Sequence, residues 1–259
     1  MSDNLFSGRG KIYLATRDSN GNPGGFFFVG EAPKFDVGLE TDTEEVQEST
    51  SGQDLTILRL RKAKKGTVAI TLRDIQKENL KLLLSGASAD QGSGSYASSN
   101  YDTFPTGLTV GQYVRLAKKN VSTLVIKDSA GTPATLVLDT DYSIVDADRG
   151  IVKILSLGAY TQPFKAQYSY AATKAVTMFT GSDSEFFLMF AGINTTTSPH
   201  TKADVELYRV SFDPAKALSL ITTEVASFDL DGSVLRDAAR VDDSAFGGFG
   251  RFVYIDDLA

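Results

Sequence analysis

The sequence predicts a mainly β protein with a long β-hairpin, one flanking α-helix and an inserted small β domain. Three observations predict it. Short runs with β-type alternation, bounded by Gly, Asn, Asp and Pro clusters, recur along the chain. One stretch, residues 75–86 (IQKENLKLLLSG), carries a clear helical period. Residues 40–66, ETDTEEVQESTSGQDLTILRLRKAKKG, join two strand-like runs across a Ser/Gly tip.

The elements follow in order. Residues 11–15 (KIYLA) and 26–29 (FFFV) read as strands around the turn cluster DSNGNPGG. Residues 33–39, 55–60 and 67–72 continue as strands, so that the charged segment becomes a long hairpin turned at 49–53 with a flexible tip. Asp74 is placed as an N-cap, Leu80, Leu83 and Leu84 share one helix face, and Gly86 stops the helix. Residues 85–102 (SGASADQGSGSYASSNYD) read as a linker or mobile loop from their Gly, Ser and Ala content. Strand signals at 112–116, 122–126, 135–138, 141–145, 151–155 and 164–170 recur at the short spacing of a small sandwich or barrel. Residues 101–170 are therefore expected to form an inserted domain, with 1–100 and 171–259 as a discontinuous core domain. After it come strands at 175–180, 185–191 and 205–212. Asp213-Pro214 is expected to open a short helix over AKALSLI. Strands at 225–230 and 233–235 are expected to turn at Asp231-Gly232, and 251–255 is a last strand.

Composition narrows the function. The chain has 259 residues, no Cys, no Trp and one His, with a net charge of −6. Without Cys there is no disulfide and no thiolate metal site. His200, in the polar loop TSPHT, has no second His to share a metal and no nucleophile elbow to serve. Asp18-Ser-Asn-Gly-Asn22 has Pro23 where a calcium loop needs Gly, and reads as a turn. Gly247–Gly250 has no Lys-Ser/Thr after it and is not a phosphate loop. No run approaches the roughly 20 apolar residues of a membrane-spanning helix, and no basic-then-apolar N-terminal leader is visible. A negative chain lacks the cations on which sequence-independent nucleic-acid binding rests. No cofactor, metal or catalytic group is expected.

The charge pattern of the hairpin is the one feature left over. Glu40, Asp42, Glu44, Glu45, Glu48 and Asp54 form an acidic block, and Arg59, Arg61, Lys62, Lys64 and Lys65 a basic one. Two readings stand. The charges pair across a solvated hairpin, or they sort so that copies meet head to tail, acidic block to basic block. Exposed pairs contribute only about 0.2–1 kcal/mol each, so stability is a weak reason for sorting.

The order strand pair, charged hairpin, helix, and the stretches 46–86 (VQESTSGQDLTILRLRKAKKGTVAITLRDIQKENLKLLLSG) and 206–237 (ELYRVSFDPAKALSLITTEVASFDLDGSVLRD), resemble the major tail tube proteins of long-tailed bacteriophages. More distantly they resemble the inner-tube proteins of contractile injection systems. The resemblance covers about 10–86 and 174–259 and rests on element order rather than a fixed motif. It implies a tail-tube-type β-sandwich or partial barrel, in which six copies form a ring, rings stack, and the hairpins line a conduit for double-stranded DNA. The acidic block would then lie at the lumen or the ring-to-ring contact, and the basic block between subunits. Implied partners are copies of the same chain and the other tail proteins (terminator, baseplate, tape measure), with assembly in the host cytoplasm and a place in the virion tail. Residues 139–155 and 165–172 resemble small β domains that decorate phage structural proteins. The alternatives are another virion β protein (tail terminator, baseplate hub or capsid decoration) and a carbohydrate-binding module or glycosidase.

Overall fold

The computed structural model describes residues 5–50, 52–97, 100–196, 200–241 and 243–255. The fold is mainly β, with 49% of residues in strands and one helix among the described residues. It divides into two compact units, Met1–Ala87 with Val176–Ala259, and Ser88–Ala175.

The first unit is one antiparallel sheet in the order β2-β1-β12-β13-β14-β4-β3, with β15 also pairing β13. Its strands are β1 (Gly8–Arg17), β2 (Pro23–Phe28), β3 (Lys34–Gln47), β4 (Thr56–Leu72), β12 (Glu185–Asn194), β13 (Thr201–Phe212), β14 (Phe228–Val234) and β15 (Gly250–Ile255). Alternation decides which face is covered. Along β14, Phe228, Leu230 and Val234 are buried while Asp229 and Ser233 are exposed. Along the lower half of β4, Val68, Ile70 and Leu72 are buried in the same way. These side chains join Ile12, Leu14, Leu188, Leu207 and Val210 in one core.

The helix α1 (Lys77–Leu83) covers part of that core through Leu83. It is shorter than the period suggests, and Asp74 is not its cap. Gln76 stands at the N-cap without a side-chain hydrogen bond. The Asp74 carboxylate instead accepts the Glu31 N–H at 3.2 Å. Asn79, fully buried, donates to the Val29 and Asp74 carbonyls and ties the helix to the strand that precedes β3.

Several expectations from the sequence are corrected here. No helix forms after Asp213-Pro214. The segment runs over neighbouring elements instead, with the Asp213 N–H donating to the Asp231 carbonyl and the Ala215 N–H to the Leu83 carbonyl. Asp231-Gly232 is not a turn, because β14 runs straight through it. A Cβ at Gly232 would come within 2.6 Å of the Ser211 carbonyl oxygen, so the glycine serves a close strand approach. Residues 175–180 form no strand, although Thr177, Phe179 and Gly181 donate to the carbonyls of Ala87, Leu84 and Ser85.

The second unit contains β5 (Gly94–Tyr96), β6 (Asp102–Thr103), β7 (Tyr113–Arg115), β8 (Val121–Lys127), β9 (Tyr142–Asp146), β10 (Ile151–Ile154) and β11 (Lys165–Tyr170). One sheet runs β7-β10-β9; in the other, β11 pairs β5, β6 and β8. Its separate core holds Phe104, Val114, Ile126, Val152, Phe164 and Tyr168. The unit begins at Ser88 rather than 101, because the Gly/Ser-rich stretch is partly structural. β5 pairs Tyr96 with Tyr168 and Gly94 with Tyr170, and Gln91 bridges Thr173. Residues 98 and 99 of that stretch lie outside the described residues. Residues 135–138 make only isolated bridges, from Thr135 to Lys127 and from Leu138 to Tyr142.

Candidate assembly arm and acidic sheet face

The hairpin of β3 and β4 is longer than its sequence signals separately suggest, because the two strand runs of its second half fuse into β4. Its lower part belongs to the sheet: Lys34–Leu39 pairs with Thr71–Gly66, and β14 covers the other edge of β4 over the same residues. Beyond Leu39 and Gly66 the two strands continue alone. Every described residue from 39 to 65 is exposed except Glu48, which is half-buried. The Glu48 N–H donates to the Leu55 carbonyl at 2.9 Å and closes the ribbon, with Asp54 at φ 50° in the tip. Ser51 lies outside the described residues.

The arm places the two charge blocks opposite each other. Glu40 is in register with Lys65, and Glu45 with Arg59. Lys65 Nζ lies 2.8 Å from Asp42, Arg59 Nε lies 3.7 Å from Glu45, and Lys62 pairs with Glu44. The hydrogen bond and charge of Asp42 raise the Lys65 ammonium above its ordinary value. Among the described residues, Glu40, Arg61 and Lys64 form no ion pair. Within one chain, therefore, the blocks are partly matched in cis. Apolar side chains remain uncovered between them: Leu39, Val46, Leu55, Ile57, Leu58 and Leu60 are all exposed.

Alternation along β3 sorts its residues by face. Phe35, Val37 and Leu39 point to the core side, where Phe35 meets Phe190 with ring centroids 5.3 Å apart. Asp36, Glu40, Asp42 and Glu44 fall on the opposite face. The same face carries Asp229 and Asp231 of β14, which stand across β4 at Thr71 and Ala69. Asp229 accepts a hydrogen bond from the Thr71 hydroxyl at 2.7 Å. Lys34 reaches Asp36 at 2.8 Å and Lys216 reaches Asp231 at 2.9 Å from the rim. Between the carboxylates stand only small residues, Thr67, Ala69, Thr71 and Ser233. The result is a flat acidic face spanning three strands. Asp36, Asp229 and Asp231 were not singled out from sequence. The signal was available: each sits one residue from a core-facing aliphatic or aromatic side chain in a strict alternation.

On the same face, toward β1, β12 and β13, lies a separate ion network, with Glu185 in register with Ser211 and Ser211 with Ser233. Arg17 bridges Glu185 at 3.2 Å and Asp237 at 3.1 Å, Arg209 holds Glu185 at 2.7 Å, and Arg240 pairs with Asp237. It surrounds Ala15, Phe187 and Tyr208 and fastens the segment after β14 to β1.

Among the described residues no group of His, Asp and Glu has the arrangement of a metal site, and no helix is long and apolar enough to cross a membrane. His200 lies in the connection between β12 and β13. Asp18 accepts the N–H groups of Asn20 and Asn22 within its own turn. A family model described as "Protein of unknown function UCP028589" matches residues 5–253. No curated protein matches the chain.

Proposed function

The chain belongs to the UCP028589 family, and from the geometry of its arm we propose that it is a non-enzymatic, self-assembling structural subunit: a tail tube protein whose rings stack into a conduit for DNA. The observation that carries this reading is the ribbon from 39 to 65, exposed on both faces and lined with uncovered aliphatic side chains. A two-stranded ribbon is marginally stable by itself in water. Its free backbone edge invites another strand. Placed beside copies of itself, the ribbon becomes part of a larger sheet, and its aliphatic residues are covered. The charge blocks then set register rather than affinity.

The acidic face supplies the second half of the mechanism. In a ring the face with Asp36, Glu40, Asp42, Glu44, Asp229 and Asp231 is the one turned to the lumen. DNA binding without sequence preference rests on Lys and Arg neutralising phosphates. On this face the six carboxylates outnumber the four lysines, Lys34, Lys62, Lys65 and Lys216, and each lysine is already ion-paired, so few free cations meet the phosphates and a polyanion passes without adhering.

Negative-stain electron microscopy of the purified protein, at rising concentration and at two salt levels, tests this. Rings and hollow tubes of uniform width are the expected result. Particles that stay monomeric at every concentration, in both salts, would refute it.

A further inference from the structure

The first unit carries an apolar groove at one end of its sheet and an apolar knob at the other. The groove has a volume of about 880 Å³. Its floor is a single row across four strands: Ile12 is in register with Phe190, Phe190 with Val205, and Val205 with Phe252. Its second wall is Val37 and Leu39 of β3, at the point where the arm leaves the sheet. The groove exists because β13 pairs β14 over Val210–Phe212 but β15 over Lys202–Leu207, which leaves the arm without a neighbour on that side. Arg9 and Lys11 stand at the groove's margin on the face of β1 away from Ile12; Lys11 lies over the Phe28 ring, and Arg9 has no ion partner among the described residues.

The knob is the connection from β13 to β14. Ala215, Leu218 and Ala226 pack on the core, and the residues between Leu218 and Ala226 bulge away from it. Leu220 is 82%, Ile221 98% and Val225 77% exposed. The Thr222 hydroxyl donates to the Glu224 carbonyl at 2.6 Å, which gives the bulge a defined turn. The Glu224 side chain has no ion partner among the described residues. Along β13, Val205 at the groove and Phe212 at the base of the knob are seven residues apart, about 23 Å at strand rise.

We infer that the knob of one copy, Leu220, Ile221 and Val225, seats in the groove of the next, with Glu224 meeting Arg9 at its margin. The inference rests on the reading that the chain assembles with itself. Two complementary patches make a heterologous contact, and because they lie at opposite ends of one sheet, copies joined through them follow one another along the strand direction. In the stacked assembly this is the contact between successive rings, distinct from the contact the arms make within a ring.

The absence of cysteine makes the test clean. Two differently tagged chains, Ile221→Cys and Leu39→Cys, are mixed under mild oxidation. The mixed disulfide is expected to form well in excess of either homodimer, and of the background given by Thr67→Cys on the acidic face. Cross-linking at that background rate overturns the inference, whether or not tubes form. Cross-linking without rings or tubes keeps the contact and removes the tail tube reading. In microscopy, Ile221→Asp is expected to leave rings and abolish stacks. Arg9→Glu is expected to shorten the stacks, and combining it with Glu224→Arg to restore them; tubes of normal length from Ile221→Asp would count against the contact.

Discussion

Asp36 of β3 and Asp231 of β14 flank the same residue, Ala69 of β4, from its two sides. Their carboxylates stand on one face of the sheet two strand spacings apart, about 9–10 Å. Neither is buried, and each keeps a Lys at its side, Lys34 for Asp36 and Lys216 for Asp231. With Glu40, Asp42 and Glu44 along β3 they make a surface on which carboxylates outnumber the lysines paired with them.

That surface gives the first prediction. Replacing Asp36, Glu40, Asp42 and Asp231 by Lys converts a face that repels phosphate into one that collects it. In a gel shift at low salt, wild-type protein is expected to leave duplex DNA unshifted, and the variant to retain it. The retention should weaken steeply with salt, by a slope of about −0.9 for each phosphate neutralised. Retention by the wild-type protein would remove the non-adhesive role of this face.

The second prediction concerns the arm. Residues 44–54 lie beyond the last strand that β14 supports, and none of the core cluster comes from them. Deleting them is expected to leave circular dichroism unchanged and the melting temperature within a few degrees of wild type. Rings and tubes are expected to disappear. A deletion variant that still forms tubes of normal width would mean that the arm is not an assembly element.

The alternation that defines the acidic face was legible in the sequence for β3, β4 and β13, whose aliphatic residues recur at period two. It was hidden in β14, where Asp-Gly carries the signature of a hairpin turn. There tertiary packing overrides local preference: Gly232 sits against the Ser211 carbonyl, where no side chain fits. The segment after Asp213-Pro214 misled for a related reason. Its composition suits a helix, but the segment packs Ala215, Leu218 and Ala226 on the core and bonds to β14 and α1 as an irregular strap. The charge blocks could be read from the sequence, but their cis pairing could not, since it depends on a register that shifts between Thr41 and Thr43. The groove was invisible because it is made by β13 changing partners midway.

The third prediction follows from the ion network. Burial pushes the Asp237 carboxyl up, but the hydrogen bonds from Arg240 and the Ala239 N–H and the charges of Arg17 and Arg240 outweigh it and hold it below its ordinary value. The Arg209 hydrogen bond similarly lowers Glu185. A carboxylate whose folded value is depressed contributes stability above its unfolded value, near 4, and loses it as pH falls through the folded value. Thermal stability of the first unit is therefore expected to hold from neutral pH to about 4 and to drop below it. Asp237→Asn leaves the half-buried Arg17 with Glu185 alone and the half-buried Arg240 without its carboxylate, and should cost about 1–3 kcal/mol at pH 7 while flattening the acid limb. An acid limb unchanged in the variant would mean that the carboxylate is not what stabilises this segment.

The fourth prediction is that Ser88–Ala175 folds alone, and that Tyr168 governs its alkaline limit. The unit has its own core, and every strand in it finds its partner within the unit. Tyr168 is buried, donates to Asp102 at 2.6 Å and accepts the Lys118 N–H at 3.2 Å. Burial first, then the Asp102 hydrogen bond and charge, raise its phenol well above the ordinary value. Because the folded phenol keeps its proton where the unfolded one loses it, this stability is full below about pH 10 and declines above it. The isolated fragment is expected to melt cooperatively and to lose melting temperature above that pH. Tyr168→Phe leaves Asp102 with the Ala117 N–H at 2.7 Å as its remaining donor. The lost hydrogen bond to a charged group should cost about 1.5–3 kcal/mol. In a unit of this size each kcal/mol corresponds to about 4–8 °C. The same substitution removes the titrating phenol, so the alkaline decline should become shallower even as the neutral-pH melting temperature falls. A variant with the neutral loss and an unchanged alkaline slope would assign that slope to a group other than Tyr168.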